Sequence, residues 1–278
     1  MTKWADLHIH TYYSDSTSSP EEVVEDALKA GLSCIAITDH DVIDGIEPTI
    51  AAAKAHGIEV IPGIELSSEL DGKDIHILGY GFNYKNNPLV DKLSAIQQAR
   101  IERMRRMIEK LKGLGIDNIA FEEVAKKTRS NAVGRPHLAE ALMEKGWVST
   151  RKQAFDKYIG EGAPAYFTKY NQTPFEAIKL ITDSGGVAVM AHPASTMKDE
   201  LIAPMVKAGL GGIEVYYPNC SETVLQFYKN LAKKHGILGT GGSDAHGKAK
   251  THTWVGKTQI PYEIVEELKS KMTAGPLV

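Results

Sequence analysis

The stretch DLHIHTYYSD at residues 6–15 carries Asp6, His8 and His10 at alternate positions. In an extended strand alternate side chains share a face, so these three point one way and Leu7 and Ile9 the other. Two neutral imidazoles on one face can hold a metal ion, and Asp15 on the following turn reaches toward the same cleft. A solitary HxH pair is as readily two satisfied histidines at a strand end. Recurrence is what lifts this one. Asp39 and His40 close SCIAITDHD, Glu65 closes IEVIPGIELS, and His76 lies in DIHILGYGF. His192 closes GGVAVMAH, Glu214 lies in GGIEVYY, and Asp244 and His246 close ILGTGGSDAH.

These runs read as β-strands, and helical stretches separate most of them. SPEEVVEDALKAG has Ser19 as cap, Pro20 in the first turn and Gly31 at the stop, and IEPTIAAAKAHG ends at Gly57. A chain of βα units around a parallel sheet gathers functional side chains at the C-terminal ends of its strands. His8, His10, His40, His76, His192 and His246, with Asp15, Glu65 and Asp244, would then converge on one mouth. That is too many donors for one ion and suits two or three, with Glu65 the natural bridge. His56 and His235 sit near helix ends, where a cation favours the dipole, and His252 reads as solvent-exposed.

The bulk composition is compatible with this. The chain has 278 residues, 42% hydrophobic and 24% charged, enough for one large α/β domain or one domain with an insertion. A net charge of −3 gives no basis for a general nucleic-acid or membrane binder, yet leaves room for a small phosphorylated substrate held by local arginines. No apolar leader or spanning run is visible, so a cytoplasmic location is expected. Cys34 and Cys220 lie far apart, and no disulfide is expected. Residues 86–166 break the rhythm: LSAIQQARIERMRRMIEKLKGLG is helical, and no strand is evident. The reading is a barrel over 1–85 and 167–278 carrying a helical insertion, 86–166, at its mouth.

The set DLHIHT…SD, TDHD, GIELS, DIHILGY, AHP and GSDAH strongly resembles the PHP (polymerase and histidinol phosphatase) superfamily, in that family's order from residue 6 to 246. The resemblance implies a distorted (βα)7 barrel with a trinuclear metal site. It assigns His8, His10, Glu65 and Asp244 to one ion. Glu65, His76 and His192 go to a second, and Asp15, His40 and His246 to a third. Mixed imidazole and carboxylate donors suit Mn, Zn or Fe.

Within the superfamily, GRPHLAEAL at 134–142 and AYFTKY at 165–170 resemble the group that hydrolyses nucleoside 3′,5′-bisphosphates and trims short RNA from the 5′ end. Arg135 brings a planar fork suited to phosphate, His137 lies two residues on, and Pro136 opens a helix whose amides can add to anion binding. Arg100 and Arg103 share one helix face; Arg103 is the preferred phosphate contact, and Lys169 is a further candidate.

The chemistry expected is in-line attack by a metal-bridging hydroxide, with Asp15 or His246 available to protonate the leaving oxygen. The expected partner is a small nucleotide or short oligoribonucleotide, with neither membrane nor long duplex. Alternatives are a histidinol-phosphate-type phosphatase, a metal-dependent nuclease acting on longer strands, and a non-catalytic metal protein.

Overall fold

Ser19 begins the first helix as its spacing foretells. Its hydroxyl accepts the Glu22 N–H at 3.2 Å and the Glu22 carboxylate returns to the Ser19 N–H at 2.8 Å, closing a capping box on α1 (Pro20–Lys29). The computed structural model describes residues 3–168 and 172–273. Lys169 therefore lies outside the described residues. Among them no helix is long and apolar enough to cross a membrane, and Cys34 and Cys220 are both free thiols.

The strands are β1 (Trp4–Ile9), β2 (Cys34–Ile37), β3 (Glu59–Leu70), β4 (Lys73–Tyr80), β5 (Val187–Met190), β6 (Leu210–Tyr216), β7 (Leu238–Gly241) and β8 (Ile260–Pro261). They form one sheet in the order β7-β6-β5-β4-β3-β2-β1-β8. The segment after β7 returns to β1: Ile9 bridges Ala245, and the His10 N–H donates to the Ala245 carbonyl at 3.0 Å. The sheet is thereby nearly closed into a barrel. The close approach depends on Gly242, where an added Cβ would lie 2.3 Å from the His8 nitrogen.

The sheet departs from a uniform run of parallel βα units. β4 pairs antiparallel with both β3 and β5, and the short β8 pairs antiparallel with β1. The reason is local. Asp71 and Gly72, at φ +51° and +74°, make a two-residue hairpin turn, and so short a link can only reverse the chain. β3 also runs on to Leu70, so Glu65 lies within its strand and not at its end.

Leu7, Ala36, Ile61, Leu78, Val189 and Leu238, from six of the strands, gather in one buried apolar cluster. A second cluster packs Ile64, Ile77 and Met190 against Leu93 and Ile96 of α3 (Asn87–Gly113), the helix after α2 (Ile46–Lys54). A third lies within residues 104–165, where Met104, Met107 and Leu111 of the same helix meet Leu138 and Leu142. The long helix thus packs on the sheet with its first half and on the helical segment with its second. Arg100 and Arg103 fall at the changeover.

Candidate metal centre and the adjoining cavity

Alternation in β1 turns His8 inward at its end, and His10 follows one residue beyond the strand. Both imidazoles are fully buried. Glu65, on the inner face of β3, stands at the middle of the cluster. Its Oε1 lies 2.8 Å from His76 Nδ1 and 3.2 Å from His192 Nε2. Its Oε2 lies 3.3 Å from His8 Nε2, 3.2 Å from His10 Nε2 and 3.2 Å from His40 Nδ1. One carboxylate therefore faces donors on both sides. Asp244 Oδ1 lies 3.3 Å from His10 Nε2, and Asp15 Oδ1 lies 3.2 Å from His246 Nε2.

All nine residues expected at the mouth come together. Donor atoms meet within 4.8 Å in three overlapping groups: His8, His10 and Glu65; His40, Glu65 and His76; and His10, Asp15, His40 and His246. Two backbones are bent out of the ordinary regions to do so, with φ of +28° at His192 and +50° at Asp244.

The donor set fits divalent ions. His10 Nδ1 and Nε2, Asp15 Oδ1, His40 Nδ1 and His246 Nε2 are buried with no hydrogen-bond partner among the described residues, a costly arrangement unless a cation answers them. Two outer nitrogens are spoken for. His246 Nδ1–H donates to the Asp244 carbonyl at 2.8 Å, and His192 Nδ1–H donates to Ser195 Oγ at 2.9 Å. Each leaves its Nε2 lone pair for the cluster.

Charge states follow from burial and neighbours. Burial alone would raise Asp15, but His246 and His40 hold it well below the usual carboxylate range. Glu65 is likewise raised by burial and pulled well down by His40, His76 and His8. Burial, then His10, pushes the His246 imidazole down. A carboxylate that keeps its charge and an imidazole that gives up its proton readily are what a metal donor needs.

From Asp15, His40 and His76 a cavity of about 140 Å³ runs to Arg100, Arg103 and Arg135, with Ser67, Asp74 and Phe155 along its wall. Arg135 opens α5 (Arg135–Glu144), which follows the short α4 (Phe121–Ala125). Its guanidinium pairs with Asp74 at 3.0 Å and lies 5.4 Å from the Phe155 ring and 5.6 Å from that of Tyr166. Arg103 donates from Nε to the Phe167 carbonyl at 2.8 Å, while a buried terminal nitrogen has no hydrogen-bond partner among the described residues. Burial, then Arg135, pushes its pKa down to about 10. Arg100 is committed to Asp41, Ser67 and the Val133 carbonyl.

His137 differs from expectation. Its Nδ1 accepts the Gly134 N–H at 3.0 Å and its Nε2–H donates to the Ser14 carbonyl at 2.9 Å. Both ring nitrogens are spent on backbone, so the residue braces the start of α5 against the Asp15 turn and has none left for a substrate. Asp6 and Asp39 are braces too. Asp6 accepts the Ser243 and Gly256 N–H groups, and Asp39 accepts from Thr11 and Ser14.

Three cavity or cluster residues were not singled out from the sequence. Asp74 lies two residues before His76 and so on its face of β4, a signal that was available. Lys250 Nζ binds Asp244 Oδ2 at 2.9 Å from a loop with no readable pattern. Phe155 starts a π-helical turn, Phe155–Ile159, which single-sequence periodicity does not reveal.

A profile of the PHP domain matches residues 6–98. A 5′-3′ exoribonuclease of Haemophilus influenzae is 36% identical over 255 residues, covering 88% of this chain and 91% of its own. The chain belongs to the PHP family, and it is a metal-dependent phosphoric ester hydrolase. A 3′,5′-nucleoside bisphosphate phosphatase of Chromobacterium violaceum is 31% identical over 259 residues, covering 91% of each chain. A crystal structure from Bifidobacterium adolescentis, described as a metal-dependent phosphoesterase, superposes with a TM-score of 0.88 at 29% identity, covering 97% of this chain and 96% of that one.

Proposed function

We propose that this protein removes the 3′-phosphate from nucleoside 3′,5′-bisphosphates, and releases 5′-terminal nucleotides from short 5′-phosphorylated oligoribonucleotides. The observation that carries the reading is the continuity of one cavity from Asp15, His40 and His76 to Arg103 and Arg135. A substrate with two phosphates can place one at the arginines and present the other, as the scissile ester, to the cluster. The names of the two relatives agree with the two halves of this proposal.

His8, His10, Asp15, His40, Glu65, His76, His192, Asp244 and His246 would hold three divalent ions, manganese in the first instance and zinc or iron as alternatives. Bound ions supply Lewis acidity and an activated water. The chain's own contribution is position and charge. Arg135 and Arg103 take the distal phosphate, and Glu65 keeps donors on both sides in register. In this reading Asp15 and His246 act as metal donors, and neither is the general acid. The unit holding the ions is the barrel, read as seven strands plus the short β8 edge and built from 1–85 and 167–278. The insertion 86–166 brings the distal phosphate contacts.

The test is phosphate release by the manganese-loaded protein from adenosine 3′,5′-bisphosphate, 5′-AMP, 3′-AMP and histidinol phosphate. Preference for the bisphosphate with 5′-AMP as product is expected. Equal or better turnover of histidinol phosphate removes the substrate assignment and leaves the metal centre standing.

A further inference from the structure

Glu214 takes no part in the groups just assigned, yet it is fully enclosed beside them. It stands on β6, and the strand's alternation turns its side chain to the cluster side. One oxygen, Oε1, accepts from His8 Nδ1–H at 3.0 Å; the other, Oε2, accepts the backbone N–H of His192 at 2.8 Å. These partners come from opposite parts of the sheet, since His8 is on β1 and His192 follows β5. His192 is also the residue with φ of +28°, a conformation that persists only where its surroundings enforce it.

We propose that Glu214 is a positioning residue for the metal centre: it fixes His8 as the Nδ1–H tautomer, with Nε2 free to bind metal, and pins the bent His192 backbone so that two donors face Glu65 from opposite sides. Through Nδ1–H the carboxylate also increases the electron density at His8 Nε2, as carboxylates behind metal-bound histidines do. The role rests on reading the cluster as a metal site.

Substitution by glutamine breaks the arrangement whichever way the amide turns. With its oxygen toward His192, its NH₂ meets His8 Nδ1, and the ring proton is driven onto Nε2, the atom needed for metal. With its oxygen toward His8, its NH₂ opposes the His192 N–H. One tie is lost in either case.

The experiment is calorimetric titration of manganese into the chelator-treated full chain, wild type against Glu214→Gln and Glu214→Asp, beside thermal melts without metal. Glu214→Gln is expected to weaken manganese binding roughly 10- to 100-fold while the metal-free melting temperature stays near wild type. Glu214→Asp, which keeps a charged acceptor for His8, is expected to recover part of the loss. With diamagnetic zinc bound in place of manganese, nitrogen-15 imidazole shifts should show the His8 proton on Nδ1 in the wild type. Wild-type affinity in Glu214→Gln overturns the proposal, as does a wild-type His8 with its proton on Nε2. If Glu214→Gln does not fold, a folded Glu214→Asp decides: weakened binding supports the role and unchanged binding ends it. A wild-type protein that takes up no manganese fails the metal reading itself, a separate result.

Discussion

At the residue scale the site is a contest between protons and metal for the same lone pairs. Burial lowers the His10 imidazole, but Asp244 and Glu65 overcome it and lift its pKa to about 9. The folded value lies above the unfolded one near 6.5. In metal-free protein the proton on His10 therefore stabilises the fold fully below pH 6.5, and that contribution fades as pH rises through 9. The denaturation midpoint of the chelator-treated protein should fall between pH 6.5 and 9, and a flat profile would remove His10 as the group responsible. Since a metal must displace this proton, manganese affinity should rise by up to tenfold per pH unit over the same interval. Glu65→Gln should lose metal and turnover together; full retention of both would end the bridging role. Arg135→Ala should keep its metals and lose about 2–3 kcal/mol of phosphate binding, read as KM for the bisphosphate. Unchanged kinetics on every phosphorylated substrate would take Arg135 out of the site.

At the scale of elements, the cluster depends on how closely β7 and β1 approach. At Gly241 an added Cβ would lie 2.3 Å from the Tyr216 carbonyl, and at Gly242 as close to the His8 backbone. These contacts are to main chain, which cannot rotate away. Gly242→Ala should cost about 1–3 kcal/mol of stability from overpacking and also reduce metal content, because Asp244 sits two residues on. Loss of stability with full metal binding would show that the cluster tolerates a shift of this loop. α3 works differently. Its two halves bury separate apolar faces, and the register between Ile96 and Met104 sets where Arg100 and Arg103 emerge.

At the scale of the whole molecule, imidazoles and carboxylates from the first strand to the segment after β7 meet in one cluster, so ions held there would act as a long-range clasp. Binding to the folded chain alone stabilises by about 2.7 kcal/mol at a concentration one hundred times Kd. The thermal midpoint should rise steadily with manganese concentration; a midpoint indifferent to Mn, Zn and Fe alike would mean that the cluster does not bind these metals.

The sequence by itself determined which residues face one another across a strand, because period-two alternation is a property of the backbone. That is why Asp6 and His8 could be read onto one face of the first strand, while cap chemistry let Ser19, Pro20 and Gly31 mark a helix. The Asp71-Gly72 turn makes β4 antiparallel, which departs from the expected run of parallel units. Only the tertiary structure decided the rest. His137 looked like a phosphate contact because its motif is local, whereas its two hydrogen bonds depend on the Asp15 turn, more than one hundred positions earlier in the chain. Glu214 and Asp74 took on their surroundings through partners on other strands, which no one-dimensional pattern records. Residue type and spacing specify what chemistry is possible; the packing of distant segments decides which atoms remain free to carry it out.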